Sequence, residues 1–260
     1  MEVRLNKYLA TQGIASRRKA DLLIESGEVT VNGKRVFELG VKIDPSVDKI
    51  KVNGKLVKSS SDELIYLMFH KPKGVITSLE DPLGRPTIAD FMKKLKIKVF
   101  PVGRLDWDSE GLLLLTNDGD FANQVSHPSF NINKRYLVKI GGKITPKMIE
   151  KMKRGMSIPE GGRVSAKRLD RIVKKSTAQN DWLIIEISEG KNRQIRKMFG
   201  NFKLDVLKLQ RVAIGGLELG NLKRGEFKAL MPKDLEKIFT DPHNKEKKVK
   251  QKSTKIVSEE

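Results

Sequence analysis

The four leucines at 112–115 form an unbroken apolar run, stopped by Thr116-Asn117-Asp118-Gly119 and preceded by the loop Gly103-Arg104-Leu105-Asp106-Trp107-Asp108-Ser109-Glu110-Gly111. A second apolar run, Val99-Phe100-Pro101-Val102, lies just before that loop. Runs this short, bounded by turn residues, read as buried strands, so this part of the chain is committed to a sheet. The loop places the Asp106 carboxylate at the mouth of two strands rather than on a solvated helix. There a substrate can reach it and its protonation can be tuned.

Strand-like runs recur at residues 64–69, 136–140 and 182–187, interspersed with helical stretches such as 146–154. That mixture predicts an α+β domain over residues 61–240. Residues 1–60 read as a separate small unit. Leu5, Tyr8 and Leu9 fall at helical spacing, Ile14 closes a short connection after Gly13, and Ser16 caps a second helix over 17–26 that Gly27 ends. Two Asn-Gly pairs, Asn32-Gly33 and Asn53-Gly54, each lie between short β-prone segments and predict two-residue hairpin turns, which need positive φ at both positions. Ser59-Ser60-Ser61-Asp62 reads as a linker, and residues 241–260, Lys-rich and poor in apolar side chains, as a basic disordered tail.

Lys plus Arg number 52 against 32 Asp plus Glu, a formal net charge of +20. A field of this sign attracts polyanions, and neutralised phosphates supply most sequence-independent nucleic-acid affinity, so nucleic acid is the first partner to consider. The start Met1-Glu2-Val3-Arg4 has no hydrophobic signal core and no apolar run is long enough to span a bilayer, which predicts a soluble, cytoplasmic protein without a membrane partner. The absence of cysteine excludes disulfides, thiolate metal sites and a cysteine nucleophile. His70, His127 and His243 are scattered, and neither a phosphate-binding loop nor a dinucleotide glycine fingerprint is present. The expectation is chemistry with no cofactor and no metal.

In the first unit Arg4, Lys7, Arg17, Arg18 and Lys19 bracket the two helices, with Ser16 at a helix start; amides and arginines together make a phosphate seat. Arg-Leu-Asn-Lys-Tyr-Leu-Ala, then Ala-Ser-Arg-Arg-Lys-Ala, then Ile-Glu-Ser-Gly-Glu-Val-Thr-Val-Asn-Gly-Lys resemble the RNA-binding domain named after ribosomal small-subunit protein four, over about residues 2–60. The larger unit carries, in order, His70-Lys71-Pro72-Lys73-Gly74-Val75, Asp81-Pro82-Leu83-Gly84-Arg85-Pro86-Thr87, the Gly-Arg-Leu-Asp loop, Lys134-Arg135-Tyr136-Leu137-Val138 and the string from Glu189 through Gln194-Ile195-Arg196 to Phe199. These motifs resemble the ribosomal pseudouridine synthases of the RsuA/RluB type.

The resemblance implies a mixed, mainly antiparallel sheet in the larger domain and conversion of specific uridines of ribosomal RNA to pseudouridine, large-subunit RNA favoured, by a monomer acting on ribosomal RNA or an assembly intermediate. It implies that Asp106 is the catalytic aspartate, that Arg196 is the cation paired with it, and that Tyr136 stacks on the target base and is a candidate to take the proton from carbon five. An ionised carboxylate can attack the sugar or the base, or remove a sugar proton, and the residues leave these routes open. Arg104, Lys134, Asn192 and Arg193 are the further expected RNA contacts, Asp108 and Glu110 being read as loop or surface acids. Arg135 and Phe130-Asn131-Ile132-Asn133 depart from the family pattern and bear on substrate choice. The rival reading is a non-catalytic RNA-binding or ribosome-assembly factor, which has no need of the set Asp106, Tyr136 and Arg196.

Overall fold

The structure is a computed structural model that describes residues 2–57, 63–95 and 97–241; the segment read as a linker and the tail beyond Asp241 lie outside the described residues. Contacts divide the chain into two compact units: residues up to Leu64 with Asn117–Gly119, and Ile65–Thr116 with the chain from Asp120 onward.

The first unit contains strands β1 (Val3–Arg4), β2 (Val29–Val31), β3 (Lys34–Arg35), β4 (Lys42–Ile43), β5 (Ile50–Val52) and β6 (Lys55–Leu56), with helices α1 (Leu5–Thr11) and α2 (Arg17–Glu25). Leu5, Tyr8 and Leu9 of α1 and Ala20 and Ile24 of α2 share one core with Val29, Ile43 and Ile50. The Ser16 side chain accepts the Lys19 N–H and starts α2, and Gly27 ends it at φ 69°. Both Asn-Gly pairs have positive φ at each residue (51° and 85°, 50° and 74°), turning β2 into β3 and β5 into β6. Asn6 donates to Asp21 at 2.8 Å, pinning α1 to α2.

The second unit is built on a sheet of nine strands among the described residues. In chain order these and the flanking elements are β7 (Tyr66–Lys71), α3 (Ile88–Met92), β8 (Phe100–Val102), β9 (Glu110–Thr116), α4 (Gly119–Ser126), β10 (Lys134–Gly141), α5 (Pro146–Arg154), the separate hairpin β11 (Met156–Ile158) and β12 (Gly162–Val164), β13 (Arg168–Arg171), β14 (Asn180–Ile187), α6 (Gln194–Gly200), β15 (Val206–Ile214), β16 (Leu217–Glu218), β17 (Phe227–Ala229) and α7 (Pro232–Ile238). The order across the sheet is β13-β14-β10-β15-β9-β7-β17, with β16 beside β15 and β8 beside β9. Every pair is antiparallel except β15 with β9.

The four leucines show why the sheet needs cover on both faces. Leu113 and Leu115 join a core with Met152 of α5 and Ile195, Met198 and Phe199 of α6. Leu112 and Leu114 point the other way, into a core with Phe121 and Val125 of α4 and Ile238 of α7. All four are fully buried, each contributing about 2 kcal/mol of transfer free energy. The fold is thus α+β, with a mixed, mainly antiparallel sheet between two helical layers.

Candidate active site

The loop between β8 and β9 is fixed from below by a buried lysine. Lys71, the last residue of β7, has no solvent exposure, and its Nζ donates to the carbonyls of Pro72 at 3.0 Å, Val75 at 2.6 Å and Ser109 at 2.9 Å. Burial pushes the ammonium down to about 8, against the opposing pull of Asp106 and Asp108. Thr77 adds a reciprocal pair, its hydroxyl donating to the Leu105 carbonyl at 2.8 Å and accepting the Leu105 N–H at 3.2 Å. The Gly74 N–H donates to the Trp107 carbonyl at 2.8 Å. The segment after β7 therefore holds the backbone on both sides of Asp106.

From the other side α6 contributes two arginines. Arg193 stands at the helix N-cap with φ 50°, in the left-handed region that is uncommon for a non-glycine residue. Its guanidinium grips Asp108 with both terminal nitrogens, at 3.1 and 2.9 Å, and lies 4.0 Å from Asp106 Oδ2. Arg196, half-buried one turn on, donates to the Val206 carbonyl at 2.8 Å and the Asp108 carbonyl at 3.1 Å. Its Nε sits 3.2 Å from Asp108 Oδ2, an ion pair without hydrogen-bond alignment. Burial raises the Asp108 carboxyl, but the Arg193 hydrogen bonds and both guanidinium charges outweigh it and hold the group below the usual carboxylate range.

This differs from the expected direct pairing of Arg196 with Asp106. The acid tied bidentately is Asp108, the cation nearest Asp106 is Arg193, and Arg196 braces the loop through its backbone. The Asp106 side chain keeps a third of its surface exposed.

That carboxylate opens on a pocket of about 460 Å³ lined also by Arg104, Lys134, Tyr136, Asn192, Arg193 and Arg211. Tyr136 and Arg211 are direct cross-strand partners on β10 and β15, and Tyr136 is buried to 7% exposure. Lys134, two residues before Tyr136, donates to the Ser188 carbonyl at 3.0 Å; burial, with the Arg211 charge, pushes it down to about 8. An aromatic ring, a reachable carboxylate and several fixed cations suit an extruded nucleotide, whose base has two flat faces and whose backbone is anionic.

Asp108 is a loop acid as expected, but neither it nor Glu110, the first residue of β9, lies free on the surface. Asp108 is three-quarters covered, and Glu110 is buried at the start of β9, held by Lys208 at 3.0 Å and Arg224 at 2.9 Å. Both became structural because the loop folds back under α6 and β15, contacts far apart in sequence. Lys71 was also passed over as a site residue; its signal was a lysine ending the strand-like run before Pro72-Lys73-Gly74. In the first unit Arg4, Ser16, Arg17, Arg18 and Lys19 are all exposed and Lys7 is half-buried.

Residues 65–201 match the family described as RNA pseudouridylate synthase, and residues 3–48 match the S4 domain. The chain belongs to the RNA pseudouridylate synthase family and is an enzyme of that class with an N-terminal S4 domain. Among relatives, it is 42% identical over 236 residues to a protein of Bacillus subtilis (strain 168) named ribosomal large subunit pseudouridine synthase B, covering 90% of this chain and 95% of that one. It is 37% identical over 255 residues to the dual-specificity RNA pseudouridine synthase RluF of Escherichia coli (strain K12), covering 96% and 83%. A crystal structure of a pseudouridylate synthase superposes with a TM-score of 0.63 at 28% identity, over 91% of this chain and 99% of that one. Among the described residues no helix is long and apolar enough to cross a membrane.

Proposed function

We propose that this enzyme isomerises one or a few uridines of ribosomal RNA, preferentially of the large subunit, with Asp106 as the reacting carboxylate and no cofactor. The observation that carries this reading is the placement of Asp106: a partly exposed carboxylate in a braced loop, facing a pocket that holds the Tyr136 ring and is rimmed by cations. The relatives' names support the choice of ribosomal RNA, and the first of them the choice of subunit.

In the reaction the N1–C1′ glycosidic bond breaks, the uracil turns, and a C5–C1′ bond forms, while the C5 proton leaves and N1 becomes protonated. Nothing is oxidised or reduced, so a carboxylate and fixed cations suffice. Asp106 acts on the sugar or the base of the flipped nucleotide, and Tyr136 supplies the stacking surface. Arg196 keeps the loop backbone in place, and Arg104, Lys134, Asn192 and Arg193 meet the RNA backbone. The first unit, residues 1–60, anchors structured RNA through Arg4, Lys7, Ser16, Arg17, Arg18 and Lys19.

The test is tritium release from carbon five of labelled uridine in protein-free small- and large-subunit ribosomal RNA, comparing the wild-type protein with Asp106→Asn. Release from large-subunit RNA that falls at least about 10³-fold in the variant is the expected result. Equal release by the two proteins would remove Asp106 from the chemistry, and release from small-subunit RNA alone would overturn the subunit assignment.

A further inference from the structure

Arg211 is a buried cation that the reading above leaves unused. It sits in the middle of the sheet on β15 at 4% exposure, and no carboxylate among the described residues lies within salt-bridge distance of it. Its Nε donates to the Leu112 carbonyl at 2.7 Å. Its Nη2 is buried with no hydrogen-bond partner among the described residues, and the side chain lines the pocket beside Tyr136. The Ser109 hydroxyl, three residues after Asp106, is likewise buried, unpartnered and on the pocket wall.

Bracing one carbonyl does not account for a guanidinium here. Burying a cation without an acidic partner and leaving one of its donors empty is costly unless something completes the site. The empty position is a donor, so what completes it is an acceptor, and the charge favours an acceptor whose electron density rises during the reaction. Register adds a constraint. The arginine is directly opposite Tyr136 and both line the pocket, so the acceptor assigned to it belongs to the ring stacked on that tyrosine rather than to the phosphate chain at the rim.

Resting on the assignment of this pocket to an extruded uridine, we infer that Arg211 holds the target base through a carbonyl oxygen and selects uracil. Uracil has an approximate twofold axis through N3 and C6. Half a turn about it exchanges N1 with C5 and the C2 carbonyl with the C4 carbonyl. A donor fixed against one carbonyl position is therefore filled both before the glycosidic bond breaks and after the ring has turned to present C5. Cytosine carries an amino group at C4, so in one of its two orientations Arg211 would face another donor. One fixed arginine thus serves both ends of the reaction and rejects the other pyrimidine.

The experiment is single-turnover conversion by the full-length protein of ribosomal RNA transcripts containing uridine, 2-thiouridine or 4-thiouridine, read by nucleoside chromatography after digestion. Sulfur is a weak acceptor, so at least one thio substitution should slow the wild-type enzyme about 10-fold or more. In Arg211→Met, uridine conversion falls and that thio penalty shrinks below about 2-fold. Arg211→Gln, measured the same way, serves if the methionine variant does not fold. Loss of the Leu112 contact alone would slow all three RNAs equally, which separates bracing from recognition. A penalty of the same size in wild type and variants, or no penalty in the wild type, overturns the role of Arg211 and leaves the synthase reading standing. Failure of the wild-type protein to convert uridine overturns both.

Discussion

The two units use positive charge in opposite ways. In the first, Arg4, Arg17, Arg18 and Lys19 are exposed around two short helices, where solvent and salt screen their charge. In the second, Lys71, Lys134, Arg196 and Arg211 are wholly or largely withdrawn from water, and each spends donors on backbone carbonyls of the sheet and its loops. In the proposed function the exposed cations collect RNA without fixing its register. Buried ones fix atoms: the backbone around Asp106 and, by inference, a carbonyl of the base. On that reading, capture and positioning are separated by the depth at which the same residue types are placed.

The contrast breaks most visibly at Lys71. Lys71→Met should lower stability by about 3 kcal/mol in urea unfolding, because three buried carbonyls lose their donor. An unchanged midpoint would mean that the carbonyls find other partners. Next is the pair Arg196→Lys and Arg193→Lys. Arg196 supports the loop backbone, so its replacement should slow single-turnover conversion about 10²-fold, and Arg193→Lys about 10-fold. Equal losses would reject this division between the two arginines.

Replacing Arg17, Arg18 and Lys19 together by alanine should weaken RNA binding about 10-fold. It should also reduce the slope of log affinity against log salt by about 2, leaving single-turnover rate at saturating RNA intact. A fall in that rate would erase the distinction between the units. The smallest effect concerns pH. Lys134 and Lys71 both titrate at about 8, and each is cationic below that value and neutral above it. As pH rises through 8 positive charge leaves the pocket, so kcat/KM should fall a few-fold, and Lys134→Arg should flatten the change. A flat wild-type profile from pH 7 to 9 would show that neither charge matters.

What could be read from sequence followed the range of the interaction. Hairpin turns at Asn32-Gly33 and Asn53-Gly54, the Ser16 cap and the strands around the leucine run are local effects, and each lies where periodicity and turn chemistry put it. β15 escaped notice because Lys208, Gln210 and Arg211 interrupt its apolar residues, and those polar groups are accommodated only by partners from elsewhere in the sheet. The same limit hid Asp108 and Glu110, whose burial depends on Arg193, Arg196, Lys208 and Arg224. Asp106 and Tyr136 were legible through their motifs. The arrangement that places Arg193 rather than Arg196 nearest Asp106 is set by the unusual backbone at the start of α6, which no local pattern announces.

The single parallel join in the sheet, Glu110 and Gly111 with Gln210 and Arg211, has a consequence in time. Gly111 has φ 114°, and a Cβ there would fall 2.2 Å from the Arg211 carbonyl oxygen, so the two backbones fit only with glycine at that position. The Arg211 side chain meets Leu112 across 99 residues of chain. During synthesis Asp106 and Tyr136 leave the ribosome well before the strand that completes their pocket, and pairings this distant in sequence form slowly. A chain interrupted between β10 and β15 therefore carries Asp106 and Tyr136 but lacks the strand that supplies the Arg211 wall of their pocket. On the proposed function, conversion waits for β15, although the carboxylate and the ring are already in the chain.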